Sequence, residues 1–512
     1  MRKLWLLCCV SLVSACDLAP DLQLPEFIAP KRFPNSPPYD AALLQEGDLK
    51  DTPPPLSQFA WQTYYRDPTL QTLIRQGLSA NRNLAQAALS IEEARALYDI
   101  EEGALFPDIT ADGSYRREDY PGAGSFGGTT TGGTGFSQGG GPSDTYQAAL
   151  GVTAYELDLF GRLRNLSASA WNQYLATKAA YDTIRLTLIS DIAQAYITLK
   201  SNQVLLRLAD STVQAQSDAL DLIQLRVDNG IANELEARQA QILYEQARVD
   251  RVILQRSIAQ NINQLRLLLG TPEAMPPFDT IYDMNAFDIL VPRIPIGLPS
   301  TLLLSRPDIQ QAEHQFNAAN ASVGAARAAF FPRISLTAAI GFISPELDGL
   351  FDDDTRYWSY GPNISQPIFT GGELSGSLDV AKVRKNQAVV NYEQQIERAF
   401  REVSDALAAV STYDEQIQTQ RSLVEATLRA TNLSELRYEE GVDNYLAVLD
   451  ARRELYNAQQ NLIRQQAEDI AARITLYRAV GGGREATDTP KEAMEPIADT
   501  KDIPETENAQ KP

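Results

Sequence analysis

One long unit occurs twice in this sequence, and the duplication constrains the fold more than any other feature. Two sets of three glycines share one spacing and are offset by 211 positions: Gly161, Gly230 and Gly270, then Gly372, Gly441 and Gly481. The pair Leu225-Arg226 is matched in the same way by Leu436-Arg437. A period this long indicates a duplicated structural unit rather than a solenoid of short repeats.

Both copies have the pattern of long amphipathic helices. Apolar residues recur three and four positions apart, as in Ile184, Leu188, Ile192, Tyr196 and Leu199 of the first copy. Inside each copy, Gly230 and Gly441 suit a reversal between two helices, because glycine tolerates a positive φ. The sequence therefore predicts two long helical hairpins, over residues 161–270 and 372–481.

A pair of β-strands is predicted before each helical hairpin, over residues 106–160 and 331–370. Apolar residues there alternate with polar ones, which is the period of a strand. The predicted apolar faces contain Ile109, Ala111, Gly113 and Tyr115; Tyr146, Ala148, Leu150, Val152 and Ala154; Ile334, Leu336, Ala338, Ile340 and Phe342; and Trp358, Tyr360, Pro362, Ile364 and Ile368. Each segment has about the ten residues with which a tilted strand crosses a bilayer. A soluble hairpin with one wet face would have the same period.

The N-terminus has the features of an export signal over residues 1–15. Two basic residues precede the apolar run Leu4 to Val13, which is too short to stay in a membrane as a spanning helix. The run Val13-Ser14-Ala15-Cys16 resembles the lipobox of bacterial lipoproteins, which implies a covalent lipid on Cys16. An ordinary signal peptide with an incidental cysteine is the alternative. Aspartate directly after the lipidated cysteine retains some lipoproteins at the inner membrane. Asp17 has that position here, so it bears on the membrane to which the lipoprotein is sorted.

Proline-rich and acidic segments bound the predicted domains. A lipid-anchored, proline-rich strap is expected over residues 16–60, a connector over 273–300 and an acidic, disordered tail over 483–512. The first repeat then covers residues 61–272 and the second covers 301–482. Each repeat has a helix ahead of its strand pair.

Composition excludes several classes of function. The formal net charge of -21 argues against nucleic acid, whose phosphates would be repelled. The chain has one histidine, His314, which disfavours histidine-dependent catalysis and a metal site with several histidines. We find no pairing of a nucleophile with a base, no metal-ligand cluster and no phosphate loop. We therefore expect neither an enzyme nor a cofactor.

The order of strap, helix, strand pair and long hairpin, repeated once, resembles the TolC-like outer membrane efflux family and its NodT-type lipoprotein branch. The most specific matching runs are Gly297-Leu298-Pro299-Ser300, Arg306-Pro307-Asp308-Ile309, Ala312-Glu313, Ala318-Ala319-Asn320-Ala321 and Gly324 to Pro332. The resemblance implies an α+β membrane protein in which three chains, with four strands each, form one twelve-stranded outer membrane barrel. A coiled-coil helical tunnel would continue that barrel into the periplasm. Four strands cannot close a barrel alone, so strands in a membrane demand partner chains.

The resemblance also implies the partners and the location. A homotrimer in the outer membrane, in contact with its lipid, would receive small toxic compounds from an inner-membrane pump of the resistance-nodulation-division type. A periplasmic adaptor, or membrane fusion protein, would join the two. The exit duct of a type I protein secretion system is the nearest alternative. A lipid-anchored periplasmic coiled-coil scaffold is an alternative of a different class.

The family resemblance assigns roles to residues at the two hairpin turns. An adaptor would contact Asp228, Asn229, Gly230 and Ile231 in the first turn, and Glu439, Glu440, Gly441 and Val442 in the second. Tyr438 matches the aromatic residue that helps to close the periplasmic aperture, and Glu236 and Asp450 match acidic positions there. Asp443 occupies the place of the family's basic residue. The familiar salt bridge therefore cannot form as such, and a different polar contact must close the aperture.

Overall fold

The computed structural model describes residues 18–22, 60–118, 142–271, 291 and 300–482. The predicted signal peptide, Cys16, the acidic tail, most of the strap and nearly all of the connector lie outside these residues.

Helices and four strands alternate along the described chain in two similar series. The helices are α1 (Trp61–Tyr64), α2 (Pro68–Ala80), α3 (Arg82–Gly103), α4 (Arg162–Asp228), α5 (Glu234–Leu269), α6 (Pro307–Ala328), α7 (Glu373–Glu439) and α8 (Tyr445–Ala479). The strands are β1 (Ile109–Glu118), β2 (Ser143–Leu157), β3 (Arg333–Ser344) and β4 (Arg356–Ser365). Both α4 and α7 are 67 residues long and free of proline, as a duplicated unit requires. In the described ranges, no helix combines the length and the apolar character needed to cross a bilayer.

The chain divides into two compact units. One consists of the described parts of Met1–Ile28, Gln86–Asp182 and Pro307–Glu397, and it contains the four strands. The other consists of the described parts of Ala29–Ala85, Thr183–Arg306 and Arg398–Pro512, and it contains both helical turns.

The strands form one antiparallel sheet in the order β1-β2-β3-β4. The predicted pairs β1–β2 and β3–β4 are present, and β2 also pairs with β3, which joins the two repeats. The register places apolar residues of the four strands opposite one another. The pairs include Ile109 with Val152, Leu150 with Ile340, and Ile340 with Trp358. One face of the sheet is therefore apolar over most of its length, up to an end that carries Arg117, Asp144 and Arg356, and we call it the apolar face.

The predicted position of Ala154 on the apolar face is wrong. The pairing of β2 with β3 shifts between Val152 and Tyr155, so that Tyr155 and not Ala154 lies opposite Leu336. Ala154 has a φ of 56°, which is uncommon for a residue with a Cβ. A bulge inserts one residue and thereby reverses the side on which the following residues lie.

The second unit has a core of aromatic and aliphatic side chains from α1, α2, α4 and α8. The rings of Tyr64 and Tyr477 stack with centroids 4.2 Å apart, and the Tyr64 hydroxyl donates to the carbonyl oxygen of Arg473 at 3.0 Å. Asp67 caps α2 and accepts a hydrogen bond from the hydroxyl of Tyr196 at 2.8 Å. These contacts fix the short N-terminal helices against the long ones.

Candidate functional site

The two helical turns have the same backbone geometry. Gly230 and Gly441 have φ values of 71° and 72°. In the first turn, the N–H of Ile231 donates to the carbonyl oxygen of Arg226 at 2.8 Å. In the second, the N–H of Val442 donates to the carbonyl oxygen of Arg437, also at 2.8 Å. This is the pattern in which a left-handed glycine ends a helix and satisfies its last carbonyls.

The helices that follow the turns are capped by equivalent asparagines. The Asn233 side chain accepts from the N–H of Glu236 at 3.0 Å, and the Asn444 side chain accepts from the N–H of Ala447 at 3.2 Å. Only the first cap is reciprocal, since Asn233 Nδ2 also donates to Glu236 Oε1 at 2.8 Å. The cap therefore orients the Glu236 carboxylate.

A small apolar cluster joins the two hairpins next to their turns. Its buried members come from α4, α5 and α8 and are Ile223, Ala237, Ala240, Tyr445, Val448 and Leu449. Partly buried Tyr438, near the end of α7, packs against this cluster. We call the six buried residues the tip cluster. Because it contains residues of both repeats, the hairpins cannot separate here without exposing it.

Tyr438 makes three contacts across and beside this junction. Its hydroxyl donates to Glu236 Oε2 at 3.3 Å, the Arg226 guanidinium carbon lies 4.9 Å from its ring centroid, and the Tyr445 ring lies 5.2 Å away. Burial raises the pKa of the Tyr438 phenol, and the nearby Glu236 carboxylate raises it further, against the opposing effect of Arg226. The hydroxyl therefore remains a donor at neutral pH. We call Arg226, Glu236 and Tyr438 the tip triad.

Asp443 and Asp450 pair with arginines, whereas Glu236 accepts from Tyr438. Asp443 Oδ2 accepts from Arg437 Nε at 2.6 Å, and this hydrogen bond lowers the pKa of the partly exposed Asp443 carboxyl. Asp450 pairs with Arg453 at 2.9 Å, one turn along α8. The structure brings Glu236 and Tyr438 together, whereas the two aspartates pair with arginines of their own hairpin.

The remaining predicted turn residues are at the surface. Ile231 is 68% exposed and Val442 is 62% exposed, each directly after the turn glycine. The Asp228 carboxylate accepts a hydrogen bond from the Gln224 side chain, and the Asn229 side chain donates to the carbonyl of Leu225, so both bond to residues of α4. Glu439 and Glu440 are exposed as well. Each turn thus presents one apolar side chain, beside one acidic residue in the first turn and two in the second.

Arg226 is a member of the site that was not predicted from the sequence. Its repeat equivalent is Arg437, and the two arginines have different partners. Asp443, which binds Arg437, is replaced by Ala232 at the equivalent place in the first turn. The sequence shows that Arg226 lacks the nearby carboxylate that Arg437 has in its own turn. That difference between the repeats could have identified Arg226 as a site residue.

Cys16 lies outside the described residues, which begin at Leu18. Among the residues that the structure describes, no group of three histidine, cysteine or carboxylate side chains is placed to hold a metal ion.

Comparison with known proteins places this architecture among outer membrane channels. The model of the family described as outer membrane efflux protein matches residues 73–271 and 298–482, well over half of the chain. The probable efflux pump outer membrane protein SepC of Pseudomonas putida is 42% identical over 473 residues, which cover 92% of this chain and 95% of that protein. The toluene efflux pump outer membrane protein TtgF of the same species matches equally well. The cation efflux system protein CusC of Escherichia coli is 36% identical over 477 residues, or 93% of this chain and 97% of CusC.

Solved structures show the same fold. A crystal structure of CusC superposes with a TM-score of 0.79 at 34% identity, and the match covers 91% of this chain and 100% of that one. The open state of the Neisseria gonorrhoeae MtrE outer membrane channel has a TM-score of 0.78 at 32% identity, with 92% of this chain and 99% of that one covered.

Proposed function

The chain belongs to the outer membrane efflux protein family, and from this premise we propose that it is the exit channel of a tripartite pump for small toxic organic compounds. Efflux across the outer membrane is the function shared by the family and the relatives. The finer proposal is a homotrimer with a twelve-stranded barrel and a helical periplasmic tunnel, joined by an adaptor to an inner-membrane pump. Several relatives are named for toluene or solvent efflux, which supports an organic substrate.

The apolar face of the sheet carries this proposal. Trp358, Tyr360 and Ile364 on β4 are 66–71% exposed, and Ile109 on β1 is 73% exposed. β1 and β4 each pair with one neighbour among the described strands, which leaves two open sheet edges. An open edge with an apolar face is unstable in water and unsatisfied in lipid. Closure with two further copies satisfies both requirements.

The tip triad and the turns supply the proposed gate and docking surface. Arg226, Glu236 and Tyr438 hold the two hairpins of one chain together above the tip cluster, and Asp450 is proposed to line the pore. The adaptor is proposed to contact the exposed turns at Asp228–Ile231 and Glu439–Val442. A covalent lipid on Cys16 would anchor the mature chain.

A matched pair of substitutions tests whether the apolar face contacts lipid. Tyr360 lies on that face, and Ser359, its exposed neighbour, lies on the other side of β4. Tyr360→Arg should reduce the yield of heat-modifiable trimer in the outer membrane, because arginine costs about 2–4 kcal/mol at the bilayer midplane and less near its surfaces. Ser359→Arg should assemble normally. Equal yields of the two variants would contradict the barrel.

Substrate class and pump type need a strain test. A deletion strain should become sensitive to toluene and related solvents, and the cloned gene should restore resistance. Sensitivity to metal cations alone would instead indicate a cation efflux system, which is what CusC is named for. Loss of a secreted protein without any change in tolerance would favour the protein secretion duct.

A further inference from the structure

The first described residues of the chain lie on helix α6. Arg327 Nη1 donates to the carbonyl oxygen of Leu18 at 3.2 Å, and Asn320 Nδ2 donates to the carbonyl oxygen of Pro20 at 3.0 Å. Both side chains belong to the same compact unit as the segment that they hold. They bind main-chain oxygens, so the contact depends on the path of this segment more than on its side chains.

Between these two donors, Gly324 allows the segment to approach closely. A Cβ added to Gly324 would lie 2.9 Å from the Cα of Ala19 and 2.6 Å from Oδ1 of Asn165 on α4. Distances this short are not tolerated by a real Cβ. Gly324 therefore allows α6 to pack closely against the N-terminal segment at Ala19 and against α4 at Asn165.

Asn320, Gly324 and Arg327 are spaced four and three residues apart, so they lie on one face of α6. We call these three residues the α6 seat. All three fall in the runs that carry the resemblance to the efflux family, yet conduction through a barrel and a tunnel gives them no role. The segment that they hold begins two residues after Cys16.

We propose that the α6 seat fixes the place where the N-terminal lipid anchor enters the membrane. This inference rests on the lipidation of Cys16 in the proposed function. Two residues of extended chain reach at most about 7 Å, which is the covalent limit on the distance between Cys16 and Leu18. Arg327 precedes the first residue of β3, Arg333, by only six positions. The acyl chains therefore enter the bilayer beside the start of β3.

The aromatic residues near this point agree with a membrane boundary. Phe331 stacks on Phe160 with centroids 4.8 Å apart, and Phe330 and Phe331 are each 39% exposed. Aromatic side chains at the ends of barrel strands typically lie at the lipid interface. When the α6 seat holds the N-terminal segment, the lipid anchor enters the membrane near the start of β3. Without the seat, the same segment would be a flexible tether.

Nitroxide mobility at Leu22 tests the seat in the full-length, membrane-assembled protein. Leu22 is 51% exposed, so Leu22→Cys accepts a spin label without entering the contact. The label should show a motionally restricted component in the otherwise unchanged chain. In the double variant Asn320→Leu, Arg327→Met that component should disappear, because both donors are lost.

The matched control removes an asparagine and an arginine elsewhere in the same unit. Asn172 bonds to the carbonyl of Ala168 within its own helix, and Arg384 is exposed on α7. Asn172→Leu, Arg384→Met should keep the restricted component. Arg327→Met alone should reduce the motionally restricted component in part. This single variant still tests the seat if the double variant assembles poorly.

The spin-label spectrum and the mass of the mature chain distinguish a failure of the α6 seat from a failure of the lipid anchor. An equal spectrum for the seat variant and its control, or a fully mobile label in the parent, would overturn the seat. Intact mass of the mature chain reports the acyl groups independently. A restricted label on a chain without acyl groups would refute the lipid anchor of the proposed function, and with it the anchoring role of the seat.

Discussion

Removal of the Tyr438 side chain should shift the channel toward its open state. Tyr438 lies on the second hairpin, and it contacts Arg226 and Glu236 of the first. In the proposed gate, opening moves the two hairpins apart, so contacts between them stabilise the closed state. Tyr438→Ala removes those contacts and leaves the turn glycine Gly441 untouched.

The size of the effect follows from the three contacts. The hydrogen bond to Glu236, long at 3.3 Å, contributes about 0.5–1 kcal/mol. The Arg226 contact contributes about 0.5–1 kcal/mol at this partly exposed site. The ring pair with Tyr445 adds about 0.5–1.5 kcal/mol. Together they amount to roughly 1.5–3.5 kcal/mol per chain, which would raise the ratio of open to closed hairpin pairs by a factor of about 10 to 300 for each chain.

Single-channel recording in planar bilayers measures this ratio, and uptake of a large hydrophilic dye checks it in cells. Tyr438→Phe loses only the hydrogen bond, so the ratio should rise by a factor of about 2–5. Tyr244→Ala is the matched control. The Arg248 guanidinium carbon lies 5.4 Å from the centroid of the Tyr244 ring, but both residues are on α5. This contact therefore does not join the two hairpins.

A Tyr438→Ala channel that conducts and admits dye like the wild type would contradict the proposed gate. Equal opening by Tyr244→Ala would also contradict it, because the effect would then come from a loss of helix stability. A Tyr438→Phe variant as open as Tyr438→Ala would assign the whole effect to the hydroxyl.

Two further ion pairs give independent predictions. Arg437 lowers the pKa of the Asp443 carboxyl, so this pair stabilises the turn above the ordinary aspartate pKa and is lost only as pH falls through the lowered value. Acid titration of binding to the proposed adaptor should show this loss, and Asp443→Asn should remove the pH dependence. Asp469→Ala leaves the fully buried Arg473 without its carboxylate and should cost about 3–5 kcal/mol, seen as a lower thermal midpoint of the extracted trimer. Glu425→Ala, at an exposed pair of equal spacing, should change little.

Periodicity was sufficient to predict the regular part of the fold. The duplicated glycines identified both turns, and Gly230 and Gly441 have the positive φ expected of them. The period of two in the strands predicted an apolar face that the register confirms, as in the pair Ile334 and Ile364. These features depend on residue spacing alone, which the sequence shows directly.

Features that depend on contacts between distant segments were not predictable in this way. The bulge at Ala154 adds one residue to β2, and a count of alternating residues cannot detect it. The pairing of β2 with β3 joins segments from different repeats. At the turns, Tyr438 and Glu236 were identified by family resemblance, whereas Arg226 was not, because its partner is a ring 212 residues away and not a nearby carboxylate.

The divergence of the two repeats yields a last prediction, that a single acidic substitution should withdraw Arg226 from the tip triad. The N–H of Ala232 donates to the carbonyl of Arg226 at 3.2 Å, as that of Asp443 does to Arg437 at 3.3 Å. An aspartate at position 232 would therefore hold its carboxylate beside Arg226, as Asp443 does beside Arg437.

With Arg226 drawn to its own turn, the ring of Tyr438 would lose a contact of about 0.5–1 kcal/mol. Ala232→Asp should thus raise the open-to-closed ratio by a factor of about 2–5, and Ala232→Asn, of similar size and uncharged, should not. In the Tyr438→Ala background the aspartate should have no further effect, since the contact is already absent. If Ala232→Asp and Ala232→Asn conduct alike, the Arg226 contact does not stabilise the closed end.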